Sequence, residues 1–121
     1  MDAESVERWL DGYVRAWESN APDDIAALFA EDAWYFTAPH REPWEGREDI
    51  VRGWRDRRDQ AGEWEFRHEP PAIADQTAFV RGWTRYSNGE HYSNLWVIRF
   101  DDDERAVEFV EWWMEESTTE A

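Results

Sequence analysis

The stretch that decides the fold is AVEFVEWWMEE, residues 106–116, which predicts a strand with large apolar side chains on both alternating faces. One face carries Val107, Phe109, Glu111 and Trp113, and the other carries Ala106, Glu108, Val110, Trp112 and Met114. Two largely apolar faces indicate a strand that is covered on both sides. Glu111 is the single charge on the first face, so its carboxyl must find a partner, take up a proton or face a cavity.

Three helices are predicted before this strand. Residues 4–19 predict the first, because apolar side chains recur at the spacing of one helical face: Val6, Trp9, Leu10, Tyr13, Val14 and Trp17. Asn20 and Pro22 end it, and Pro22 suits the first turn of a short second helix. Residues 47–60 predict the third helix, with Ile50, Val51 and Trp54 facing inward.

Strands dominate the second half of the chain. Alternating or aromatic runs predict strands at 33–38, 63–68, 77–87, 91–100 and 106–116. Asn88-Gly89 is the strongest hairpin signal, while Pro70 and Pro71 predict a bend, a bulge or a sheet edge. Residues from Ser117 onward predict a polar tail. Helices followed by a mostly antiparallel meander indicate an α+β fold.

Composition narrows the classes of function. At 121 residues the chain is expected to form a single domain, 1–121, and its ten tryptophans predict an aromatic core and a concave site. A net charge of −16, with no lysine, disfavours nucleic acids and anionic membranes as partners. The N-terminus carries no secretory signal and no apolar run reaches the roughly 18 residues that span a bilayer, so a cytoplasmic protein is expected.

The residue types that are missing also limit the chemistry. The sequence has no cysteine, which excludes thiolate metal ligands and a cysteine nucleophile. Without lysine, no side chain can form a Schiff base. The three histidines and the acids show no metal-ligand spacing, so we expect neither a metal nor another cofactor.

Several segments resemble the NTF2-like superfamily, especially its SnoaL-like and ketosteroid-isomerase-like branches. They are residues 13–17, DDIAALFAEDAWYF at 23–36, PWEGREDI at 43–50, the Asn-Gly hairpin and a last strand with EWW. The resemblance implies a cone-shaped fold, in which three N-terminal helices pack on a strongly curved, mostly antiparallel sheet that encloses a pocket. It also implies a homodimer formed through the outer sheet face.

Few catalytic residues carry over with this resemblance. Tyr13 falls where ketosteroid isomerases have an oxyanion-hole tyrosine, but Thr37 takes the place of their general-base aspartate and Trp96 lies near their second aspartate. Threonine cannot act as that base, so steroid isomerisation by their mechanism is not expected. His68 is a candidate general acid or base, as in a scytalone-dehydratase-like site, or else a hydrogen-bonded histidine of the pocket wall.

The resemblance further implies which side chains face the pocket. On the strands these are Arg81, Trp83, Arg85, Trp96, Ile98, Phe109, Glu111 and Trp113, to which Tyr35, Thr37 and Trp54 are added. A one-residue slip would invert each strand. Arg81 and Glu111 are the predicted partners: either Arg81 holds a substrate group while Glu111 acts as base, or the two form a closed ion pair.

Two functions follow from this pocket and remain open. The first is a cofactor-independent acid–base enzyme acting on a hydrophobic, cyclic small molecule through Tyr13, His68, Arg81 and Glu111. The second is a non-catalytic ligand-binding or dimerisation module of the same fold. The outward apolar side chains predict a homodimer interface in either case: Leu95, Val97, Val110, Trp112 and Met114.

Overall fold

The computed structural model describes residues 1–116, and the polar tail predicted from Ser117 onward lies outside them. The helices are α1 (Ala3–Ser19), α2 (Pro22–Ala26) and α3 (Arg47–Asp56). The strands are β1 (Phe29–Phe36), β2 (Trp44–Glu45), β3 (Trp64–His68), β4 (Ala72–Ala74), β5 (Thr77–Tyr86), β6 (His91–Phe100) and β7 (Ala106–Glu115). None of the helices in this part of the chain has the length and apolarity needed to cross a membrane.

α1 buries the apolar face that the sequence predicts, and it is capped at both ends. The Asp2 carboxylate accepts a hydrogen bond from the Ser5 backbone N–H at 2.8 Å, which caps the N-terminus. Asn20 ends the helix in the left-handed conformation, with φ of 52°. Its side chain donates to the Asp59 carbonyl at 2.8 Å and accepts the Trp54 indole N–H at 3.0 Å. These bonds tie the end of α1 to α3 and to the loop that follows it.

β7, the strand predicted from residues 106–116, lies in the middle of a single curved sheet. The strand order is β2-β1-β7-β6-β5-β3, and β4 also pairs with β5. β1 runs parallel to β7, whereas the other strand pairs are antiparallel. The predicted α+β fold, with three helices on a curved and mostly antiparallel sheet, is confirmed.

Three strands differ from the sequence prediction. β2 lies where no strand is predicted, and β1 begins at Phe29 instead of residue 33. The Ala106 N–H donates to the Leu28 carbonyl at 2.9 Å, and Phe29 pairs with Ala106. That contact is distant in sequence, so no local pattern predicts it. β4 is additional: the chain rejoins β5 beyond Pro70 and Pro71, where an interruption is predicted.

The turn between β5 and β6 decides which side of β5 faces the interior. The Tyr86 N–H donates to the Glu90 carbonyl at 2.8 Å, which leaves a three-residue loop of Ser87, Asn88 and Gly89. Gly89 has φ of 96°, a conformation that glycine adopts readily. A two-residue Asn88-Gly89 turn would instead pair Ser87 with Glu90. The extra loop residue shifts the register by one position, so every side chain of β5 changes face.

The predicted orientation of β5 is therefore wrong. Its interior face carries Ala78, Val80, Gly82 and Thr84, and Val80 pairs with Trp96. The residues predicted to face inward lie on the outer face instead: Arg81, Trp83 and Arg85. β6 keeps its predicted phase, and so does β7 from Glu108 onward, because Trp96 pairs with Glu111 and Ile98 with Phe109 on the inner face. A register shift before Glu108 turns Ala106, predicted on the other face, into the core.

The outer face of the sheet exposes a group of large apolar side chains. Leu95 is 40% exposed, Trp112 51% and Met114 71%, and Phe79 on β5 is 39% exposed. We call these four residues the outer apolar patch. The hydrophobic core lies on the other side, between the three helices and the inner face.

Candidate functional site

A cavity of about 630 Å³ opens between the helices and the inner face of the sheet. Its inner lining comes from α1, α3 and strands β1, β5, β6 and β7: Tyr13, Tyr35, Thr37, Trp54, Thr84, Asn94, Trp96 and Glu111. Its outer lining is more polar and includes Trp17, Arg41, Trp44, Arg57, Arg58, Asp59, Glu63, Tyr86, Ser87, Asn88, Glu90, Tyr92 and Trp113. The volume falls within the range of small-molecule sites.

Stacked aromatic rings form the floor of the cavity. Phe109 stacks on Tyr35 with ring centroids 4.6 Å apart and on Tyr13 at 5.4 Å. Phe66 stacks on Trp96 at 4.7 Å, in the space left by the missing side chain of Gly82. Phe109 is fully buried and lies beneath the lining, so it supports the two tyrosines rather than facing the cavity as predicted.

The hydroxyl groups of Tyr13 and Tyr35 are hydrogen-bonded to each other at 2.8 Å. Burial raises the pKa of both phenols, and the nearby charge of an ionised Glu111 raises it further. Whichever hydroxyl donates in this bond, the other keeps a hydrogen for a second acceptor. The floor therefore retains one phenolic donor.

Glu111 ends a short chain of polar side chains that crosses the inner face of the sheet. Thr84 Oγ1 donates to Asn94 Oδ1 at 2.8 Å, and Asn94 Nδ2 donates to Glu111 Oε2 at 3.3 Å. Thr84 and Asn94 are both buried. Thr84 escaped the sequence prediction because its face depends on the hairpin register, which no local pattern reports. Asn94 shares the predicted inner face of Trp96 and Ile98 by alternation, but it was not singled out.

The carboxyl of Glu111 is held largely in its neutral form at neutral pH. Burial raises its pKa to about 8, and the side-chain donors of Asn94 and Trp96 offset only part of this rise. Within residues 1–116, Glu111 takes part in no ion pair. The Trp96 indole N–H lies close enough to influence Glu111, yet it is buried without a hydrogen-bond partner in the described chain.

Arg81 is not the partner of Glu111. Its guanidinium forms two hydrogen bonds with Glu69 on the outer face, Nη2 to Oε1 at 2.6 Å and Nε to Oε2 at 3.1 Å. Both side chains are exposed to solvent. The predicted Arg81–Glu111 pair is therefore wrong in both its functional and its structural version, because the three-residue hairpin loop places Arg81 outside.

Trp83 and Arg85 also lie outside the cavity. The Arg67 and Arg81 guanidinium carbons stand 5.0 and 5.8 Å from the centre of the Trp83 ring. Arg85 and Trp83 line a second, smaller cavity of about 300 Å³. Neither residue lines the pocket as predicted, for the same reason of register.

His68 lies on the same face as Trp64 and Phe66, as the alternation of β3 predicts, but it does not line the cavity. Its Nδ1 is 2.8 Å from the Glu69 carbonyl oxygen, and its Nε2 is 4.0 Å from Glu7 Oε2. These contacts are those of a hydrogen-bonded strand histidine, but it lies outside the pocket wall, where both predicted alternatives place it. Of the four residues predicted to be catalytic, Tyr13 and Glu111 alone line the cavity.

The remaining predicted pocket residues do line the cavity: Tyr35, Thr37, Trp54, Trp96 and Trp113. Trp113 stands near the opening and is 45% exposed. Sequence reasoning missed the polar residues of the opening: Arg41 lies in an irregular segment where no periodicity assigns a direction, and Arg57 was predicted on the solvated face of the third helix. Arg57 ends α3, which stops at Asp56 rather than continuing to residue 60 as predicted.

Comparison with known structures yields close matches in fold. A structure described as a "putative ketosteroid isomerase" from Kribbella flavida DSM 17836 has a TM-score of 0.73 at 20% identity, with 98% of this chain and 84% of that chain covered. An NTF2-like protein of unknown function from Mesorhizobium loti has a TM-score of 0.71 at 20% identity, with 93% of each chain covered. At this identity, the two structures establish a shared fold alone.

Sequence comparison identifies the family. None of the curated proteins compared matches this chain significantly. The model of the SnoaL-like domain, however, matches residues 7–109, which is most of the chain. The resemblance stated from the sequence is thereby confirmed, and the chain belongs to the SnoaL-like domain family.

Proposed function

We propose that this chain is a cofactor-independent enzyme in which Glu111 exchanges a proton with a cyclic small molecule bound in the cavity. The observation that carries the proposal is a carboxyl with a pKa raised to about 8, facing a cavity of about 630 Å³. A group whose pKa lies near the working pH can both donate and accept a proton. At neutral pH, Glu111 would act mainly as an acid, and its ionised fraction would act as a base.

Neighbouring donors favour a ligand with a carbonyl or similar oxygen. The Trp96 indole N–H has no partner in the described chain, and the Tyr13–Tyr35 pair leaves one hydroxyl hydrogen available. A buried donor without an acceptor is costly, so a ligand oxygen that meets these donors gains binding energy. Negative charge that develops on this oxygen during proton transfer would be stabilised by the same donors.

Replacing Glu111 with glutamine should abolish proton exchange while ligand binding persists. Binding of cyclic carbonyl compounds is followed by quenching of the cavity tryptophans, and exchange of ligand C–H for deuterium is followed by proton NMR in D₂O. We expect E111Q to lower the exchange rate by about 10²- to 10⁴-fold, the usual contribution of one general acid–base group. An unchanged exchange rate in E111Q would refute the assignment of Glu111.

One observation favours a non-catalytic ligand-binding module instead. Of the four predicted catalytic residues, His68 and Arg81 are outside the cavity, and the resemblance to ketosteroid isomerases puts Thr37 where they have their general-base aspartate. Such a module would quench its tryptophan fluorescence on binding the same compounds, and their C–H groups would not exchange in D₂O.

We also propose that two copies associate through the outer apolar patch. Phe79, Leu95, Trp112 and Met114 form exposed apolar surface on adjacent strands β5, β6 and β7. Apolar surface of this kind on a monomer marks an interaction site. A net charge of −16 on each copy opposes association, so salt should strengthen the dimer by screening this repulsion.

The substitution Leu95→Glu should convert the dimer to a monomer. It places a charge in the middle of the outer apolar patch, where burial against a second copy would desolvate it. Light scattering coupled to size exclusion, at low and at high salt, measures the mass. Ala61→Glu adds the same charge at an exposed position away from the patch and should leave the mass unchanged. A monomeric wild type at all salt concentrations would contradict the proposal.

A further inference from the structure

Free arginine side chains stand at the opening of the cavity, although the chain is strongly acidic. Arg41 precedes β2, and Arg57 and Arg58 follow α3, so two separate segments bring three positive charges to one lining. The whole chain carries a net charge of −16, and most of its arginines lie elsewhere. The same opening carries the carboxylates of Asp59, Glu63 and Glu90, so the question is why these acids do not pair with the arginines.

Within residues 1–116, the guanidinium groups of Arg41 and Arg57 are bound to no carboxylate, and Arg41 meets only the face of the Trp113 ring. In the described residues, neither group forms an ion pair with a carboxylate. Their backbone N–H groups are hydrogen-bonded in turns, whereas no hydrogen bond within residues 1–116 uses either side chain. Arg58 differs, because its Nη1 donates to the Arg55 carbonyl at 3.0 Å. Arg41 and Arg57 therefore keep all five of their side-chain N–H donors available.

The acids at the same opening, by contrast, already have donors. Asp59 Oδ2 accepts hydrogen bonds from the Trp17 indole N–H at 3.0 Å and from the Tyr86 hydroxyl at 3.1 Å. Glu63 Oε1 accepts the Gln60 backbone N–H at 2.8 Å, and Glu90 accepts the side-chain donors of Tyr92 and Asn88. These carboxylates are fixed by neutral groups of the protein, so they leave the neighbouring arginines unpaired.

Both free arginines line the same cavity as the aromatic rings, and Arg41 stands directly against one of them. The Arg41 guanidinium carbon is 6.0 Å from the centre of the Trp113 ring. Burial raises the pKa of the Tyr35 phenol, and the positive charge of Arg57 lowers it in part. A ligand with a ring against these aromatics would thus bring an attached acidic group within reach of a guanidinium.

We propose that the ligand is a monovalent organic anion, a ring-bearing carboxylate, whose acid group is held by Arg57 and Arg41 at the opening while its ring enters the cavity. A guanidinium fork matches the two oxygens of a planar carboxylate. The charge of −16 on the chain repels polyvalent anions more strongly than a monovalent one. The inference rests on one part of the proposed function, namely that the cavity binds a small molecule, and it does not require catalysis by Glu111.

Calorimetric titration with 2-naphthoate and with its uncharged analogue 2-naphthamide tests this inference. Both probes present the same ring system, and they differ in the charge of the group that would meet the arginines. We expect wild type to bind naphthoate at least about tenfold more tightly than naphthamide, as a charge-assisted hydrogen bond would provide. The double variant Arg41→Gln, Arg57→Gln should lose this preference while its affinity for naphthamide stays unchanged.

Arg55→Gln is the matched control, because Arg55 is an exposed arginine of α3 that does not line the cavity. It removes one charge from the same helix and should preserve the preference. Equal binding of the two probes to wild type, or an intact preference in the double variant, overturns the inference. Binding of neither probe overturns it as well. A preference for naphthoate without deuterium exchange in any ligand would refute acid–base catalysis and leave the anion site standing.

Discussion

Between about pH 4.5 and pH 8, the wild-type protein is expected to lose stability relative to E111Q, by an amount that reaches several kcal/mol. The unfolded carboxyl ionises at its ordinary value of 4.5, whereas the folded carboxyl keeps its proton up to about pH 8. In this window the unfolded state binds fewer protons, so the free energy of unfolding falls as pH rises. Above the folded pKa both states are ionised, and the loss is complete.

The difference between the two pKa values sets an upper bound of about 5 kcal/mol on this effect. Because Glu111 faces an open cavity, water can relax part of the penalty, and about 2–4 kcal/mol is the more realistic expectation. Glutamine is nearly isosteric and cannot ionise, so E111Q should lack this component of the pH dependence. Urea unfolding curves of both proteins, recorded from pH 4 to pH 9, measure the difference directly.

Glu108→Gln provides the matched control on the same strand. Glu108 lies on the outer face, where its Oε2 is 3.8 Å from Nη2 of Arg99 in a partly exposed pair. Removing such a pair changes stability by at most about 1 kcal/mol. E108Q should therefore follow the wild type across the pH range. Parallel curves for wild type and E111Q would mean that Glu111 ionises normally, and the proposed acid–base role would lose its basis.

Phe109→Ala is expected to destabilise the fold by about 3–5 kcal/mol, the usual cost of truncating a buried phenylalanine. Phe109 is fully buried and stacks on Tyr13 and Tyr35, and it also contacts Trp9 and Trp96. Its removal would leave a void beneath the floor and remove the support of the paired hydroxyls. Thermal unfolding should shift the midpoint downward by on the order of 10 °C or more.

Trp113→Ala tests whether this effect comes from burial rather than from aromatic character. Trp113 is on the same strand and the same face, but it is 45% exposed at the opening of the cavity. Its truncation removes no fully packed ring and should cost about 1 kcal/mol or less. If F109A proves no more costly than W113A, the floor does not depend on Phe109.

The sequence by itself determined the elements of this fold and the position of its centre. The spacing of apolar residues located α1 and the strands of the second half. A helix or strand that buries one face repeats its apolar residues at the period of that element. The two apolar faces of residues 106–116 indicated a central strand, and its inner face is covered at Phe109, whereas Trp112 and Met114 on the outer face are exposed. Glu111 was identified for a physical reason as well: an isolated carboxyl among large apolar side chains must face a cavity or find a partner.

The tertiary structure alone decided what surrounds Glu111. A single extra residue in the loop between β5 and β6 reverses the faces of β5, which sends Arg81 to the outer surface and brings Thr84 inside. No local pattern reports the length of that loop, because Asn88-Gly89 fits a hairpin turn of either size. The free arginines at the opening were equally hidden, since Arg41 lies in an irregular segment and the predicted third helix continued past Arg57, whereas α3 ends at Asp56. The surroundings of the candidate site thus depend on strand register and packing, whereas the sequence alone was enough to identify its central carboxyl, Glu111.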